Sequence, residues 1–426
     1  MGSGPHQHHH HSPLFFSKPK LSTRSIFFLT VSLALLNLYL FFPSHRPSQT
    51  TALPSPSPPL VGAVAEPPRR RCNYADGRWL PDPCDPLYDD ATCATIKEGR
   101  NCISHGRPDS GYLHWRWEPR GCRLRRFDAA AFLCLIAGKH LAFVGDSLAR
   151  NQLESLLCLL SGASAPELVH RNGEDDKFRR WVFQSHNATV SIFWSPFLVE
   201  GVEKSPEEGR LHNHLYLDSP DPSWSSELAG IDVVVFSGGH WFLHPGVFHQ
   251  GGAVVGCHHC PDKNQTETGF FDAFRKAVRT ALTAARAAAA ENLAVVTTFS
   301  PAHFEGEWDK AGACSRTEPY VDGEREMEYT VEEMRRIGVE AAAAAAVTLE
   351  GRRRVRVEAM DVTKMAMMRP DGHPGPYMRR NPFAGGGRRG EERVQNDCVH
   401  WCLPGPIDAW NEVLFDVIGR WRGGWE

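Results

Sequence analysis

Hydrophobic positions along the chain alternate between short continuous runs and stretches with helical spacing. The run from Leu141 to Val144 predicts a buried strand, and Gly145 with Asp146 predicts a tight turn after it. From Leu148 onward the apolar residues recur on one helical face. We therefore expect Ser147 to lie where a strand leads into the N-terminus of a helix.

The same alternation continues to the end of the chain. Strands are predicted at residues 190–197, 231–236, 293–299 and 355–362, and helices at residues 270–291, 326–349 and 407–420. Such alternation favours a parallel sheet covered by helices on both faces. The sequence thus predicts a three-layer α/β/α domain, with its active site at the carboxyl ends of the strands.

Ser147 is a candidate nucleophile. Unpaired backbone N–H groups at a helix N-terminus can hold a developing oxyanion, and a serine there attacks an acyl carbon when a base takes its proton. Of the 21 histidines, only His400 has an aspartate, Asp397, three residues before it. This spacing predicts the triad Ser147, His400 and Asp397. The simpler alternative is that Gly-Asp-Ser is only a turn and a helix cap.

Two further motifs follow predicted strands. In Ser237 to Trp241, the Gly239 N–H could complete an oxyanion hole, or the segment could be a plain turn that ends a strand. The spacing of Cys257-His258-His259-Cys260 is typical of metal ligands, but no second pair of matching spacing follows, so we expect no metal site. No Gly-x-Ser-x-Gly elbow and no P-loop occurs in the chain.

The N-terminal region predicts a membrane anchor. Residues 26–42 are continuously apolar or small, and Lys18, Lys20 and Arg24 precede them. This pattern predicts a cytosolic tail at residues 1–25, a single transmembrane signal anchor at 26–42 and a lumenal remainder. The alternative is a cleaved signal peptide with a distant site at residues 63–65. Residues 43–71, rich in proline and serine, are expected to form an extended stalk.

Cysteine usage indicates an oxidising lumen. Five of the 12 cysteines fall between residues 72 and 122, so residues 72–135 are expected to form a disulfide-stapled lobe before a catalytic domain at 136–426. Connectivity stays open at this point. Asn187 and Asn264 lie in sequons and are candidate glycosylation sites. The net charge is −3 and no basic run carries interleaved aromatics, so nucleic acid is not an expected partner.

Tryptophans in the Cys-rich segment offer a candidate sugar-binding face. Trp115 and Trp117 alternate with polar residues, and indole rings stack on the C–H faces of sugars. The alternative interpretation is that both rings pack a small core around the disulfides. The two interpretations differ in whether the rings are exposed.

Longer strings resemble a known family. Gly145-Asp146-Ser147-Leu148 with Asp397-x-x-His400 is similar to the GDSL/SGNH hydrolase pattern. With the longer strings, residues 72–426 resemble the plant trichome-birefringence-like family of polysaccharide O-acetyltransferases. Those strings are Gly77-Arg78-Trp79-Leu80, Gly106-Arg107-Pro108-Asp109, Trp115-Arg116-Trp117-x-Pro119, Phe143 to Gln152 and Asp397 to Gly405. Residues 239–242, 257–260 and 299–310 are most similar to its xyloglucan branch.

The resemblance implies a Golgi membrane enzyme that acetylates xyloglucan with Ser147 as nucleophile, His400 as base and Asp397 as its orienter. It implies no bound cofactor, only an acetyl donor such as acetyl-CoA or an acetylated carrier. The high Ala, Arg and Gly content resembles grass proteins, which implies O-6 of backbone glucosyl residues as the acceptor; otherwise galactosyl side chains are expected.

One departure from the SGNH pattern concerns the oxyanion hole. The pattern expects an asparagine in its third block, and residues 237–241 contain none. Gly239, Asn151 or Arg150 is then expected to supply the missing donor, and His240 is a candidate for substrate binding.

An acetylesterase with the same triad and a non-catalytic polysaccharide-binding protein are the alternative functions.

Overall fold

The computed structural model describes residues 72–172, 177–261, 264–288, 292–310, 312–347, 355–383 and 393–423. Its strands are β1 (Gly77–Pro81), β2 (Trp115–Pro119), β3 (His140–Gly145), β4 (Glu167–Asn172), β5 (Phe178–Phe183), β6 (Ala188–Trp194), β7 (Val199–Val202), β8 (Asn213–Pro220), β9 (Val233–Ser237), β10 (Gly246–Gln250), β11 (Ala253–His258), β12 (Leu293–Thr297) and β13 (Arg356–Met360). Its helices are α1 (Ala129–Leu135), α2 (Ser147–Ser161), α3 (Pro222–Ser225), α4 (Phe271–Ala288), α5 (Tyr329–Val347), α6 (Thr363–Met367) and α7 (Asp408–Trp421).

The central sheet has seven strands in the order β13-β12-β9-β3-β6-β5-β4. The first five are mutually parallel, whereas β5 runs antiparallel to both β6 and β4. The expectation of a wholly parallel sheet is therefore wrong at one edge. All six residues of β4 are exposed, so that strand lacks the apolar pattern that would have predicted it.

Helices cover both faces of this sheet, as the strand–helix alternation predicted. Leu141 and Phe143 of β3 belong to a core that includes α1, α2 and α7. The alternate residues Ala142 and Val144 belong to a second core, which includes α4 and α5. Because neighbouring side chains of a strand point to opposite faces, one apolar run supplies both cores. The arrangement is an α/β domain with helices on both faces of a mixed sheet.

A second sheet lies outside the α/β core. It has four strands in the order β11-β10-β8-β7, and the β8–β10 pair is parallel while the other two pairs are antiparallel. The sequence analysis did not predict it. Its strands carry polar residues such as His214 and His249, which blur the alternation of apolar and polar positions.

Disulfides join the Cys-rich segment to the rest of the chain. Cys72–Cys122 lies within residues 72–135, but two others cross to the sheet domain. These are Cys93–Cys158 in α2 and Cys102–Cys402 near the C-terminus. Trp79 and Trp117 of the β1–β2 hairpin belong to the same core as α7. The Cys-rich segment is thus joined by two disulfides to the sheet domain and shares its hydrophobic core.

The predicted tail, anchor and stalk at residues 1–71 lie outside the described residues. Within the part of the chain that is described, no helix is both long and apolar enough to cross a bilayer.

Candidate active site

Ser147 is the first residue of α2, directly after the turn that ends β3. The Asp146 N–H donates to the Ser237 carbonyl at the end of β9, 3.1 Å away. A Cβ at Gly145 would lie 1.6 Å from that same carbonyl oxygen, so only glycine allows the two strand ends to approach. Asp146 caps α2 by accepting a 2.9 Å hydrogen bond from the Leu148 N–H. The sequence expectation for Ser147 is confirmed in its position, at a strand-to-helix junction.

Asp397 and His400 form a hydrogen-bonded pair. Nδ1 of His400 lies 2.7 Å from one carboxylate oxygen of Asp397. The other oxygen accepts the backbone N–H groups of His400 and Val399, at 2.9 and 3.1 Å. A carboxylate on Nδ1 fixes the tautomer in which Nε2 is unprotonated and can act as a base.

The charge of the Asp397 carboxylate is stabilised in place. Burial alone would raise its pKa, but the charge that His400 can carry and three hydrogen bonds lower that pKa well below the ordinary value. The carboxylate is therefore ionised at every pH at which the enzyme could work.

The loop that carries this pair is pinned from several sides. Cys314–Cys398 anchors its start, and Cys102–Cys402 anchors its end. The His303 N–H, in the segment after β12, donates to the Cys398 carbonyl at 3.0 Å. These contacts hold the loop over the carboxyl ends of the parallel strands, where the sequence analysis expected it.

Asn151 joins α2 to this loop. One turn after Ser147, its side-chain oxygen accepts the Trp401 N–H at 2.7 Å, and its amide lies 3.3 Å from the Trp401 carbonyl. Asn151 is fully buried. One of its two amide hydrogens holds the residue after His400, and the expectation that Asn151 donates to an oxyanion stays a prediction.

The free nitrogen of His400 is available for chemistry. Its Nε2 is buried and has no hydrogen-bond partner among the described residues. No hydrogen bond joins it to Ser147 in the described part of the chain. Catalytic hydrogen bonds of this kind often close only when substrate binds. The structure thus brings Asp397 and His400 together, and it shows no hydrogen bond between Ser147 and His400.

Backbone donors for an oxyanion lie at the ends of β3 and β9. The N–H groups of Ser147 and Gly239 donate to no other described residue. Gly239 has φ 152°, and a Cβ there would lie 2.8 Å from the Phe299 ring and 2.9 Å from Met334, so glycine is required. Arg150 holds its guanidinium 4.9 Å above the Trp194 ring.

A second acid–histidine pair, Asp146 and His240, lines a small cavity beside Ser237 and Gly238. Nε2 of His240 donates to the Ser300 carbonyl at 2.8 Å. Burial raises the pKa of Asp146 and lowers that of His240, and each group partly offsets the shift of the other. The sequence analysis named Asp146 only as a turn residue; its place inside the Gly-Asp-Ser motif was the available signal.

The two tryptophans of β2 differ in position. Trp117 is fully buried, and its indole N–H donates to the Tyr74 carbonyl at 2.9 Å. The prediction that Trp117 binds sugar is therefore wrong, since a buried ring offers no stacking face. Trp115 is half-buried and lines a cavity with Arg116 and Glu412.

The remaining expected sites lie at the surface or in a disulfide. Asn187 and Asn264 are both exposed, which leaves their sequons accessible. Cys257 and Cys260 form a disulfide, so their sulfurs are not offered as metal ligands.

Comparisons with known proteins identify the family of the chain. Residues 124–417 match the GDSL/SGNH-like acyl-esterase family found in Pmr5 and Cas1p, and residues 70–123 match the PMR5 N-terminal domain. The chain is 54% identical to xyloglucan O-acetyltransferase 1 of Populus trichocarpa over 99% of this chain and 98% of that protein. It is 55% identical to xyloglucan O-acetyltransferase 1 of Arabidopsis thaliana over 82% of this chain and 81% of that protein.

A more distant relative is protein trichome birefringence-like 26 of Arabidopsis thaliana, 40% identical over 92% of this chain and 86% of that protein. The match to the acyl-esterase family covers most of the sequence and includes Ser147, Asp397 and His400. The chain therefore belongs to the GDSL/SGNH-like acyl-esterase family found in Pmr5 and Cas1p.

Proposed function

We propose that this chain is a xyloglucan O-acetyltransferase that works through an acetylated Ser147. The observation that carries the proposal is the Asp397–His400 pair, whose unpartnered Nε2 lies on a loop tied by Asn151 to the first turns of the helix that Ser147 begins. The names of the relatives, more than half identical in sequence, supply the substrate class.

The reaction is a double displacement. His400 takes the proton of Ser147 Oγ, which attacks the acetyl carbonyl of the donor. The bond between the acetyl carbon and the donor breaks, and His400 gives its proton to the leaving group. A sugar hydroxyl then attacks the acetyl-serine while His400 takes the hydroxyl proton, and that proton returns to Ser147 Oγ as the ester bond breaks.

Two developing charges need stabilisation. The N–H groups of Ser147 and Gly239 would hold the tetrahedral oxyanion, because no described residue uses them. The ionised Asp397 would stabilise the imidazolium of His400.

The donor would be acetyl-CoA or an acetylated carrier. The acceptor would be O-6 of a backbone glucosyl residue if the chain comes from a grass, and a galactosyl side chain otherwise.

Transfer and hydrolysis share these residues, so products separate them. The full chain is incubated with para-nitrophenyl acetate as a chromogenic donor and with xyloglucan oligosaccharides. The expected result is acetylated oligosaccharide, lost by at least about 10³-fold in Ser147→Ala. Free acetate as the main product with the oligosaccharide unmodified would mean an esterase. No acetylated oligosaccharide and no enzymatic acetate from the wild type, with oligosaccharide binding that Ser147→Ala leaves unchanged, would mean a binding protein.

The cellular setting is part of the proposal. Residues 26–42 would anchor the chain in the Golgi membrane as a single-pass type II protein, with residues 72–426 in the lumen. Support comes from the lysines before the apolar run, the disulfides and the exposed Asn187 and Asn264. Glycosidase treatment of the expressed chain tests it: a mass decrease that Asn187→Gln and Asn264→Gln abolish is expected, and an unglycosylated chain would contradict a lumenal location.

A further inference from the structure

Two buried histidines near the site have no part in the reaction as written. His303 follows β12, and His373 lies between α6 and the loop that carries His400. Their side chains are 2% and 3% exposed. Nδ1 of His303 and Nε2 of His373 are 2.7 Å apart, so the two rings are in direct contact.

The pair forms a bridge between two backbone carbonyls. Nε2 of His303 lies 2.8 Å from the Met367 carbonyl at the end of α6. Nδ1 of His373 lies 2.7 Å from the carbonyl of His400 itself. The ring of His373 also stacks on Trp401, with 4.3 Å between centroids. The bridge therefore holds the main chain of His400 and its neighbour at one end, and a helix of the domain at the other.

Chemistry fixes the direction of the two outer hydrogen bonds. A carbonyl oxygen only accepts, so Nε2 of His303 and Nδ1 of His373 must each carry a proton. Two neutral imidazoles supply these two protons. A third proton, shared between the facing nitrogens, would close the middle contact and give the pair one positive charge.

Burial opposes that third proton. It lowers the pKa of His303 to about 4 and that of His373 well below its ordinary value. The charged or titratable side chains that face the pair are Arg325, Glu328, Asp371, Asp397 and His400, and Arg107 donates to the His373 carbonyl. With or without the third proton, each ring keeps a proton on the nitrogen that contacts a carbonyl, so the hydrogen bond from His373 to the His400 carbonyl is present in both states.

We propose that His373, supported by His303, is a positioning residue for His400. Its Nδ1–H holds the His400 carbonyl, while Asp397 holds the same residue through its N–H and Nδ1. With the backbone fixed on both sides, the imidazole keeps one direction toward the serine. The inference rests on the proposed function, since it takes His400 as the base.

The test compares an alanine and an asparagine at one position. His373→Ala removes the donor to the His400 carbonyl, and we expect kcat for acetyl transfer to fall about 10- to 100-fold with the acceptor KM changed less than about twofold. In His373→Asn, the side-chain amide takes the place of Nδ1 and restores the donor. The asparagine variant should therefore recover kcat to within about threefold of the wild type. His303→Ala should fall between the two.

His212→Ala is the matched control. His212 lies directly before β8 of the second sheet and is as buried as the pair. Its Nε2 contacts the His259 carbonyl at 3.2 Å. Its loss should lower the melting temperature and leave kcat unchanged. A similar kcat loss in this control would mean that any buried histidine matters, and would overturn the positioning role.

The remaining outcomes are decisive as well. If the wild type transfers no acetyl group, the proposed function fails and the positioning role fails with it. If the wild type is active and Ser147→Ala is not, a folded His373→Ala with wild-type kcat overturns the positioning role alone. If His373→Ala does not fold, a folded His373→Asn at near wild-type kcat supports the role. A folded asparagine variant that loses more than about tenfold in kcat overturns it.

Discussion

Two buried carboxyl groups near the C-terminus, 11 positions apart in sequence, have pKa values shifted in opposite directions. At Asp397, the charge of His400 and three hydrogen bonds outweigh burial and lower the pKa. At Asp408, burial prevails and raises the pKa to about 6, although Ser155, Tyr88 and the Gly405 N–H all donate to that carboxyl. Asp408 has no cationic partner among the described residues, and neutral donors alone do not keep it fully ionised.

Glu412, one turn further along α7, extends the contrast. Burial raises its pKa to about 7, and the Phe127 N–H, at 3.3 Å, is its one hydrogen-bond donor among the described residues. Arg116 and Arg126 lower that pKa only in part. The same chemical group is thus an anion beside His400 and, in α7, a packing group that stays largely protonated below about pH 7. The difference teaches that a partner charge, more than depth, decides which carboxyl can support catalysis.

The largest expected effect comes from neutralising the anion at the site. In Asp397→Asn, the side-chain oxygen keeps the backbone N–H groups, but the amide N–H₂ meets Nδ1 of His400 and forces the proton onto Nε2. A histidine in that tautomer cannot accept the serine proton, so kcat for acetyl transfer should fall about 10³- to 10⁴-fold. Circular dichroism should show an unchanged fold. Retention of more than a tenth of the wild-type kcat would contradict the role of Asp397.

A smaller effect is expected at Asn151, which links α2 to the loop that carries Asp397 and His400. Asn151→Ala leaves the buried N–H and carbonyl of Trp401 without their partner. We expect a loss of about 1–3 kcal/mol in the free energy of unfolding. We also expect a loss of about tenfold in kcat, because the loop shifts relative to Ser147. Urea unfolding and steady-state kinetics measure the two. A stability loss with kcat unchanged would reduce Asn151 to a packing role.

The smallest effect is expected at Glu412, the carboxyl whose pKa burial raises to about 7. Glu412 is protonated in both states below its unfolded pKa of 4.5, and as the pH rises through about 7 the folded protein must ionise a group that burial keeps neutral. Stability contributed by the neutral form is lost over that range. Glu412→Gln should therefore be more stable than the wild type by about 1–2 kcal/mol at pH 8 and equal to it near pH 4.

Activity provides the check on that variant. Glu412→Gln should keep kcat within about twofold of the wild type. Among the described residues, its carboxyl hydrogen-bonds to the Phe127 N–H and to neither Asp397 nor His400. Melting curves at several pH values, run beside Asp397→Asn, measure the difference directly. A kcat loss comparable to that of Asp397→Asn would remove the distinction between the two carboxyl sites.

Local patterns predicted the parts of the site that are contiguous in sequence. The run before Gly145 and the helical spacing after Leu148 predicted the strand and the helix that flank Ser147, and the three-residue spacing predicted the Asp397–His400 pair. The strands 231–236, 293–299 and 355–362 also match β9, β12 and β13 to within a few residues. β9 and β12 are buried throughout, so their apolar pattern is strong, whereas β13 buries only Val357 and Met360.

The other parts depend on contacts between distant segments. Asn151 meets Trp401 across 250 positions, and His303 meets His373 across 70, which no local pattern encodes. Trp117 alternates with polar residues as an exposed strand would, but tertiary packing of the hairpin covers it. The exposed β4 and the strands of the second sheet mix apolar with polar residues, so no continuous apolar run marks them.

Mass spectrometry of the enzyme itself tests the central claim most directly. The full chain is mixed with the chromogenic acetyl donor in the absence of acceptor, quenched in acid and digested. One acetyl group should be found on the peptide that contains Ser147, and it should disappear when xyloglucan oligosaccharide is added before the quench. Acetylated oligosaccharide formed at the wild-type rate by a chain that never carries acetyl on Ser147 would contradict the account.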